Sequence, residues 1–199
     1  MGRKSTTPAW RADALDAVTC IKSGRVLLHP TDTVWGLAAD PFNEDAVRSL
    51  NKMKRRKENQ PILVLVADEG ELDRLLPNLP EGAWSLLENS NRPITFLSET
   101  KSTKPWSSAC LGENRRMAVR WVQQDAYTAF VIRGAGGALA STSANLHGGP
   151  TPTSLREVPR LVRESAGHVS THRREEVLSG RPSMMVAFDE QGRFELLRD

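Results

Sequence analysis

Apolar and polar positions follow two different periods along the chain, and together they predict a mixture of helices and strands. Apolar stripes with a spacing of three and four residues predict helices, and short continuous apolar runs predict buried strands. The predicted helices cover residues 9–23, 43–54, 69–76, 81–89, 125–133 and 153–165. The predicted strands cover residues 25–29, 36–39, 61–67, 94–98, 117–122, 138–140, 184–188 and 193–197.

The order of these elements predicts the fold class. Helices and strands alternate irregularly, which favours an α/β (α+β) fold with an open, twisted, mixed sheet and flanking helices. The length of 199 residues favours a single domain over residues 1–199, with residues 1–8 as a flexible tail. The first helix is expected to bury an apolar stripe that includes Leu15, and Asn43 is expected to cap the second helix.

Composition narrows the class of protein without defining its function. Hydrophobic residues make up 39% and charged residues 26%, as in an ordinary globular domain, and the net charge of +3 permits an anionic ligand or RNA. The two cysteines match no zinc spacing and are expected to be thiols in a reducing cytoplasm. No apolar run reaches the roughly 20 residues of a membrane span, so we expect a cytoplasmic protein without membrane contact.

Two small-polar segments carry the candidate chemistry. Residues 30–36 read Pro-Thr-Asp-Thr-Val-Trp-Gly, residues 141–145 read Ser-Thr-Ser-Ala-Asn, and each follows a strand-like run. Strand ends rich in hydroxyl groups and glycine offer hydrogen-bond donors where open α/β sheets bind ligands. Residues 54–57 add a block of four cations. Hydroxyls and cations without a metal-ligand set suggest a polyanion such as a nucleoside triphosphate.

Structural interpretations of the same residues remain open at this point. Cations at 54 and 56 can complement a helix dipole and stay solvated. Residues 31–33 can form a turn that satisfies its own backbone, and residues 141–145 can be a simple junction between a strand and a loop. Arg120 is different, because a cation within an apolar strand is costly unless it is paired, so this residue is expected to need an anion.

Three motifs together resemble a known family. The Pro-Thr-Asp-Thr-x-aromatic-Gly segment, Lys-x-Arg at 54 and 56, and Ser-x-Asn at 143 and 145 occur in the order and approximate spacing of YrdC-type threonylcarbamoyl-AMP synthases. The chain resembles the short, single-domain form from about residue 9 to residue 199, which implies a concave basic cleft. It looks like a divergent member, since Asn91-Arg92-Pro93 and Val122 depart from the usual Pro-Gly-Pro and Pro, and Leu65 stands where many members have a His.

The resemblance implies a role for each site residue. Trp35 would form an aromatic wall, and Asp32 would orient its loop through backbone N–H groups. The implied catalytic residues are Lys54, Arg56, Ser143 and Asn145. The implied L-threonine-binding residues are Thr31, Thr33, Arg120, Ser141 and Ser183. The implied nucleotide-binding residues are Lys54, Arg56, Gln60, Arg116, Ser143, Thr151 and Arg198. No residue is assigned to a metal.

The resemblance also implies a reaction. A nucleotidyltransferase of this family makes threonylcarbamoyl-AMP and pyrophosphate from L-threonine, bicarbonate and ATP, with Mg²⁺ arriving on the ATP. Downstream threonylcarbamoyl transferase proteins then modify tRNA next to the anticodon, and contact with tRNA or double-stranded RNA is expected to be possible. Two alternatives stay open: a non-catalytic RNA-binding protein with the same fold, and a carbamoyltransferase-type relative that uses carbamoyl phosphate.

Overall fold

The computed structural model describes residues 7–56, 62–189 and 191–199, which form six α-helices and nine β-strands. The helices are α1 (Arg11–Lys22), α2 (Glu44–Met53), α3 (Glu69–Leu75), α4 (Glu81–Asn89), α5 (Ala126–Ala135) and α6 (Arg160–Ser165). The strands are β1 (Leu27–Pro30), β2 (Trp35–Ala39), β3 (Leu63–Val66), β4 (Ile94–Glu99), β5 (Arg116–Trp121), β6 (Ala138–Ser143), β7 (His168–Val169), β8 (Met184–Phe188) and β9 (Phe194–Arg198).

The nine strands form one open sheet in the order β7-β1-β2-β6-β3-β5-β4-β8-β9. Three neighbouring pairs are parallel, β1 with β7, β3 with β5, and β4 with β8, and the other pairs are antiparallel. The predicted mixed sheet with flanking helices is therefore confirmed. Within the described residues, no helix is long and apolar enough to cross a membrane.

One face of the sheet is covered by four helices. Alternate strand residues such as Leu37, Val64 and Val119 point to this face and join the larger apolar cluster with α2, α3, α4 and α6. The helix α2 begins as predicted, because the side chain of Asn43 accepts a hydrogen bond of 3.0 Å from the backbone N–H of Ala46. This helix ends at Met53, and the buried Lys54 follows it as the C-cap residue.

The opposite face is covered only in part. Leu27, Ala38, Leu65 and Leu139 point to this face and pack under α1 and α5 in a second apolar cluster. Strand pairing places Ser143 and Arg120 on this same face, because Ser143 lies opposite Gly36 and Arg120 lies opposite Leu65. Hydroxyl groups and a cation therefore line the part of the sheet that the helices leave open.

Several local predictions are wrong for identifiable reasons. The predicted helix 153–165 is interrupted, because the residue before Pro159 is kept out of the helical region, so a 3₁₀ turn at Leu155–Glu157 precedes α6. Leu15 is 51% exposed rather than buried, since α1 packs through Ala14 and Val18. Ser141 and Ser143 belong to β6 itself and do not follow it.

Candidate functional site

The loop between β1 and β2 is closed by its own first hydroxyl group. The Oγ1 atom of Thr31 donates to the carbonyl of Val34 at 2.8 Å and accepts from the backbone N–H groups of Thr33 and Val34, both at 3.1 Å. The hydroxyl groups of Thr31 and Thr33 also lie 3.0 Å apart. The turn that satisfies its own backbone, one of the interpretations that the sequence allowed, is thus present. Thr31 has a structural task here whether or not it also contacts a ligand.

A long connection between β7 and β8 holds this loop from outside. We call residues 170–183 the strap. Arg173 donates to the carbonyl of Thr31 at 3.1 Å, while Ser179 and Gly180 donate to the carbonyl of Thr33 at 3.2 and 3.0 Å. Sequence reasoning missed these contacts, because partners more than 140 residues apart leave no local pattern. The strap therefore fixes the position of Thr33.

The far end of the strap is anchored on a buried carboxylate. Asp13 in α1 accepts from the hydroxyl groups of Ser170 and Tyr127, at 2.5 and 2.9 Å, and from the backbone N–H of Thr171 at 2.9 Å. Burial opposes ionisation of Asp13, but these hydrogen bonds together outweigh it and hold the pKa of the carboxyl group well below its usual range. The strap is thus tied to the helix layer by an ionised group.

Arg120 and Asp32 form an ion pair at the edge of the uncovered face. The Nη2 atom of Arg120 donates to the Oδ2 atom of Asp32, and the side chains are 6% and 24% exposed. Within the described residues, the Nε atom of Arg120 is buried without a hydrogen-bond partner. The anion that Arg120 was predicted to need is therefore supplied in part by Asp32. The predicted role of Asp32 is corrected accordingly, since its carboxylate pairs with a guanidinium across the cleft.

A small cavity of about 60 Å³ lies between the Thr31–Thr33 loop, the sheet and the strap, and we call it the hydroxyl cavity. Arg120 closes one side, and Ser141, Thr33, Ser183 and Arg198 contribute polar groups. The hydroxyl group of Ser183 lies 2.6 Å from that of Thr95, and Arg198 donates to the carbonyl of Ser183 at 2.9 Å. The five predicted L-threonine-binding residues are thus brought together: Thr31, Thr33, Arg120, Ser141 and Ser183.

Lys54 connects the end of α2 to the end of β6. Its ammonium group donates to the backbone carbonyls of Ser143 and Asn145 and to the side-chain oxygen of Asn145, the last two at 2.8 and 3.0 Å. Asn145 in turn donates to the carbonyl of Gly149 at 2.7 Å and accepts from the hydroxyl group of Ser143. Burial, aided by the nearby charge of Arg56, lowers the pKa of Lys54 to about 8.

These contacts change the expected role of Lys54. An ammonium group has three N–H donors, and three oxygen atoms of the Ser143–Asn145 segment already accept from Lys54. Lys54 therefore holds the Ser143–Asn145 segment in position through these hydrogen bonds. Its predicted contact with a triphosphate stays a prediction.

A second cavity, of about 160 Å³, lies in front of Lys54, and we call it the cation cavity. Arg56, Ser143, Asn145 and His147 line it, and Thr142 lines both this cavity and the hydroxyl cavity. Arg56 is half-buried, and burial lowers the pKa of its guanidinium. All four predicted catalytic residues, Lys54, Arg56, Ser143 and Asn145, therefore surround one cavity that adjoins the other.

Three predicted nucleotide-binding residues stand apart from this arrangement. Gln60 lies outside the described residues. Thr151 is half-buried beside Pro152, whose carbonyl accepts from the backbone N–H of Trp35 at 3.0 Å. Arg116 is exposed and lies four residues before Arg120 on β5, about 13 Å along the strand. Arg116 and Thr151 line neither cavity, so their roles stay predictions.

The departures from the family pattern fall at informative places. Leu65 is buried and lines the hydroxyl cavity, and Val122 lies in the second apolar cluster. Arg92 lines two further cavities of about 40 and 290 Å³ beside Asp32. Leu65 therefore makes one wall of the hydroxyl cavity apolar.

The fold agrees with comparisons to known proteins. Residues 19–199 match the family described as Sua5_yciO_yrdC: Telomere recombination, and the chain belongs to this family. Two relatives named threonylcarbamoyl-AMP synthase, from Acinetobacter baylyi and Methylococcus capsulatus, are 33% and 37% identical to it over 151 residues. These alignments cover 71% and 72% of the chain and 77% and 78% of the relatives.

Solved structures share the fold at lower identity. Escherichia coli YciO is 19% identical with a TM-score of 0.78, and the match covers 97% of the chain and 91% of YciO. The P. abyssi Sua5 structure with L-threonine is 24% identical with a TM-score of 0.73. That match covers 97% of the chain but only 55% of Sua5, so the chain spans little more than half of that protein. These similarities establish the fold alone.

Proposed function

We propose that this chain is an enzyme that makes threonylcarbamoyl-AMP, as the names of its relatives state for them. The observation that carries the proposal is the junction at Thr142 between two unlike cavities, one with hydroxyl groups and Arg120, the other with Arg56 and Lys54. An amino acid and a triphosphate are the matching pair of ligands. Their reacting groups would meet at the junction.

The hydroxyl cavity would hold L-threonine. The α-carboxylate would lie against the guanidinium of Arg120, whose buried Nε atom has a free donor within the described residues. Thr33, Ser141 and Ser183 would supply short polar contacts around the amino acid. In this placement the amino group would face Thr142, which lines both cavities.

The cation cavity would hold the phosphates of ATP. Arg56 offers a planar fork that matches phosphate oxygens, and Ser143 adds a hydroxyl group. Lys54 and Asn145 would keep this wall in shape through the hydrogen bonds between them. Roles for Gln60, Arg116, Thr151 and Arg198 toward the nucleotide belong to the same proposal.

The reaction would be a nucleotidyl transfer. The amino nitrogen of L-threonine attacks the carbon of bicarbonate, and loss of water gives N-carboxythreonine. A carbamate oxygen then forms a bond to the α-phosphorus of ATP, and the bond from that phosphorus to the bridging oxygen breaks to release pyrophosphate. Alignment and charge neutralisation are what such a transfer needs from a protein. Arg56 and Arg120 would supply both.

Mg²⁺ would arrive bound to ATP. The side-chain oxygen of Asn145 already accepts from Lys54 and Ser143, and no cluster of acidic, His or Cys side chains that could hold a metal occurs in the described residues, which fits a cation that keeps its bonds to phosphate and water. The metal would neutralise phosphate charge. The product would pass to threonylcarbamoyl transferase proteins that modify tRNA, and direct contact with tRNA belongs to the proposal as well.

Pyrophosphate release from ATP by the purified protein tests this function, with L-threonine and bicarbonate added or omitted one at a time. Release that requires both is the expected result. Release that requires carbamoyl phosphate instead, or RNA binding without any release, would replace the proposal with one of the two alternatives. Mass spectrometry of the quenched reaction identifies threonylcarbamoyl-AMP directly.

A further inference from the structure

We infer that His147 binds the terminal phosphates of the nucleotide, and that the protonated imidazole strengthens this contact. This inference rests on the proposed function and adds one residue to its phosphate subsite. His147 lies outside the three sequence motifs, and its exposed side chain borders the cation cavity. Three features of the molecule support the contact: the turn that carries His147, its position in the cavity and the charge around it.

His147 lies on a tight turn that depends on the glycine after it. The backbone N–H of Gly149 donates to the carbonyl of Leu146 at 2.9 Å, and Gly148 has a φ of +78°. These are the features of a type II turn, with His147 in the second position and Gly148 in the third, where φ is positive. A Cβ atom on Gly148 would meet no atom within 4 Å beyond its chain neighbours, so the space beside His147 is open to a ligand.

The backbone of this turn is held from two sides. The N–H of His147 donates to the carbonyl of Lys54 at 2.9 Å, and the side-chain amide of Asn145 donates to the carbonyl of Gly149 at 2.7 Å. Both Lys54 and Asn145 belong to the wall of the cation cavity. Because the imidazole is attached to a fixed backbone, a contact with a ligand costs less conformational freedom than it would on a free loop.

His147 borders the cation cavity alone. Thr142 lines both cavities, whereas His147 and Gly148 line the cation cavity and not the hydroxyl cavity. The proposed reaction places the α-phosphorus of ATP at the junction, next to L-threonine. The β- and γ-phosphates then extend into the rest of the cation cavity, where Arg56 and His147 offer N–H groups. His147 would therefore contact the part of ATP that leaves as pyrophosphate.

The charges around His147 favour an anionic partner. The charged side chains that line the cavity with it are Lys54 and Arg56, and no carboxylate among the described residues lines this cavity. A protonated imidazole would face two like charges in the empty cavity and a polyphosphate in the loaded one. An opposite charge nearby favours the protonated form, and an imidazole ordinarily titrates at about pH 6.5. Binding of the phosphates should thus be coupled to a proton on His147.

Isothermal titration calorimetry with pyrophosphate and Mg²⁺ measures this contact without catalysis, at about pH 6 and about pH 8, on either side of the imidazole range. At the lower pH, we expect His147→Gln to bind pyrophosphate about 3- to 10-fold more weakly than the natural protein, a modest factor because the imidazole is exposed. At the higher pH, the two affinities should agree within about twofold. His147→Lys carries a charge at both values and should keep tight binding at both.

A matched control separates a contact from the general charge of the protein. Lys52→Gln removes an exposed charge that lies outside the lining of the cation cavity, and it should change the affinity for pyrophosphate by no more than about twofold. Titration of pyrophosphate and of Lys54 is common to all the proteins and cancels in the ratios. Equal losses in Lys52→Gln and His147→Gln would show a general positive field and overturn the inference.

Two further results of the calorimetry would also overturn the inference. One is an affinity that His147→Gln leaves unchanged at the lower pH. The other is a loss of the same size at both pH values, which would show that the substitution distorts the turn. Binding of adenosine that depends on His147, without an effect on pyrophosphate, would place the nucleoside at this residue and overturn the inference as well.

Pyrophosphate release with L-threonine and bicarbonate connects the contact to the reaction. At about pH 6, His147→Gln should raise KM for ATP by about 3- to 10-fold and leave KM for L-threonine unchanged. If no variant shows threonine-dependent release but calorimetry gives the expected ratios, the proposed function fails and the inference stands. Threonine-dependent release with an affinity for pyrophosphate that does not depend on His147 overturns the inference alone.

Discussion

The ammonium group of Lys54 lies 2.8 Å from the backbone oxygen of Asn145, although the two residues are 91 positions apart. The same group donates to the backbone carbonyl of Ser143, so the residue after α2 holds the end of β6 and the segment that follows it. The backbone N–H of His147 returns a bond of 2.9 Å to the carbonyl of Lys54. Lys54 is 4% exposed, so this connection is an interior one. The cation cavity depends on it for one wall.

Lys54→Met should therefore reduce both stability and activity. The change removes three hydrogen bonds from a charged donor and keeps most of the apolar stem, so we expect a loss of about 1–3 kcal/mol in the free energy of unfolding. Urea unfolding and pyrophosphate release measure the two effects, with the exposed Lys52→Met as the control. An inactive Lys54→Met protein of unchanged stability would instead favour direct contact between Lys54 and phosphate.

Arg56→Ala tests whether Arg56 contacts phosphate directly or acts only through positive charge at the end of α2. Arg56 lines the cation cavity, and loss of one charge-assisted contact of about 1.5–3 kcal/mol corresponds to about 10- to 100-fold in turnover. Arg55 is exposed and is the matched control, since Arg55→Ala removes the same charge one residue away. Steady-state kinetics at saturating L-threonine measure the loss in turnover of each variant. Equal losses in both variants would point to the general positive field and not to a contact.

Asp32→Asn tests the ion pair with Arg120. The variant leaves a buried guanidinium without its counter-charge, which we expect to cost about 1–3 kcal/mol of stability, because Asp32 is itself partly exposed. Added L-threonine should recover part of that loss, since its carboxylate supplies a new partner. The melting temperature should thus rise more with L-threonine in Asp32→Asn than in the natural protein. A smaller rise would argue that Arg120 does not receive the carboxylate.

The sequence predicted the elements whose patterns are local. Helix Glu81–Asn89 and strand Met184–Phe188 have the predicted bounds, because each is a clear apolar pattern between breaking residues. The two-residue strand β7 was not predicted. A pair that includes a histidine carries no strand pattern, and its pairing with β1 depends on tertiary position. Pro159 shows the opposite case, since one residue broke a helix that the surrounding pattern favoured.

The candidate site was predictable in residue type but not in arrangement. Hydroxyl groups, glycine and cations pointed to the correct segments, and the structure groups most of them around two cavities. The ion pair of Asp32 with Arg120 joins residues 88 positions apart, and the hydrogen bond from Arg173 to Thr31 joins residues 142 positions apart. Neither follows from spacing along the chain, because only the folded sheet brings these groups together.

His29 gives the site a stability that depends on pH. It lies on the same face as Gly36, next to the hydroxyl cavity, and is fully buried with its ring 6.4 Å from that of Tyr127. Burial lowers the pKa of His29 to about 4, and the charges of Asp125, Asp13 and Asp32 offset this only in part. The folded protein therefore keeps His29 neutral at a pH where the unfolded chain binds a proton.

The sign of the effect follows from that difference. The unfolded chain takes up the proton near pH 6.5 and the folded protein only near pH 4, so stability is lost as the pH falls through this range. We expect a loss of about 2 kcal/mol between pH 7 and pH 5 from His29 alone. His29→Gln should lack this part of the loss in urea unfolding, while the exposed His147→Gln should keep it. If the free energy of unfolding fell equally with pH in all three proteins, His29 would be protonated in the folded protein. Water would then reach His29 from the uncovered face of the sheet.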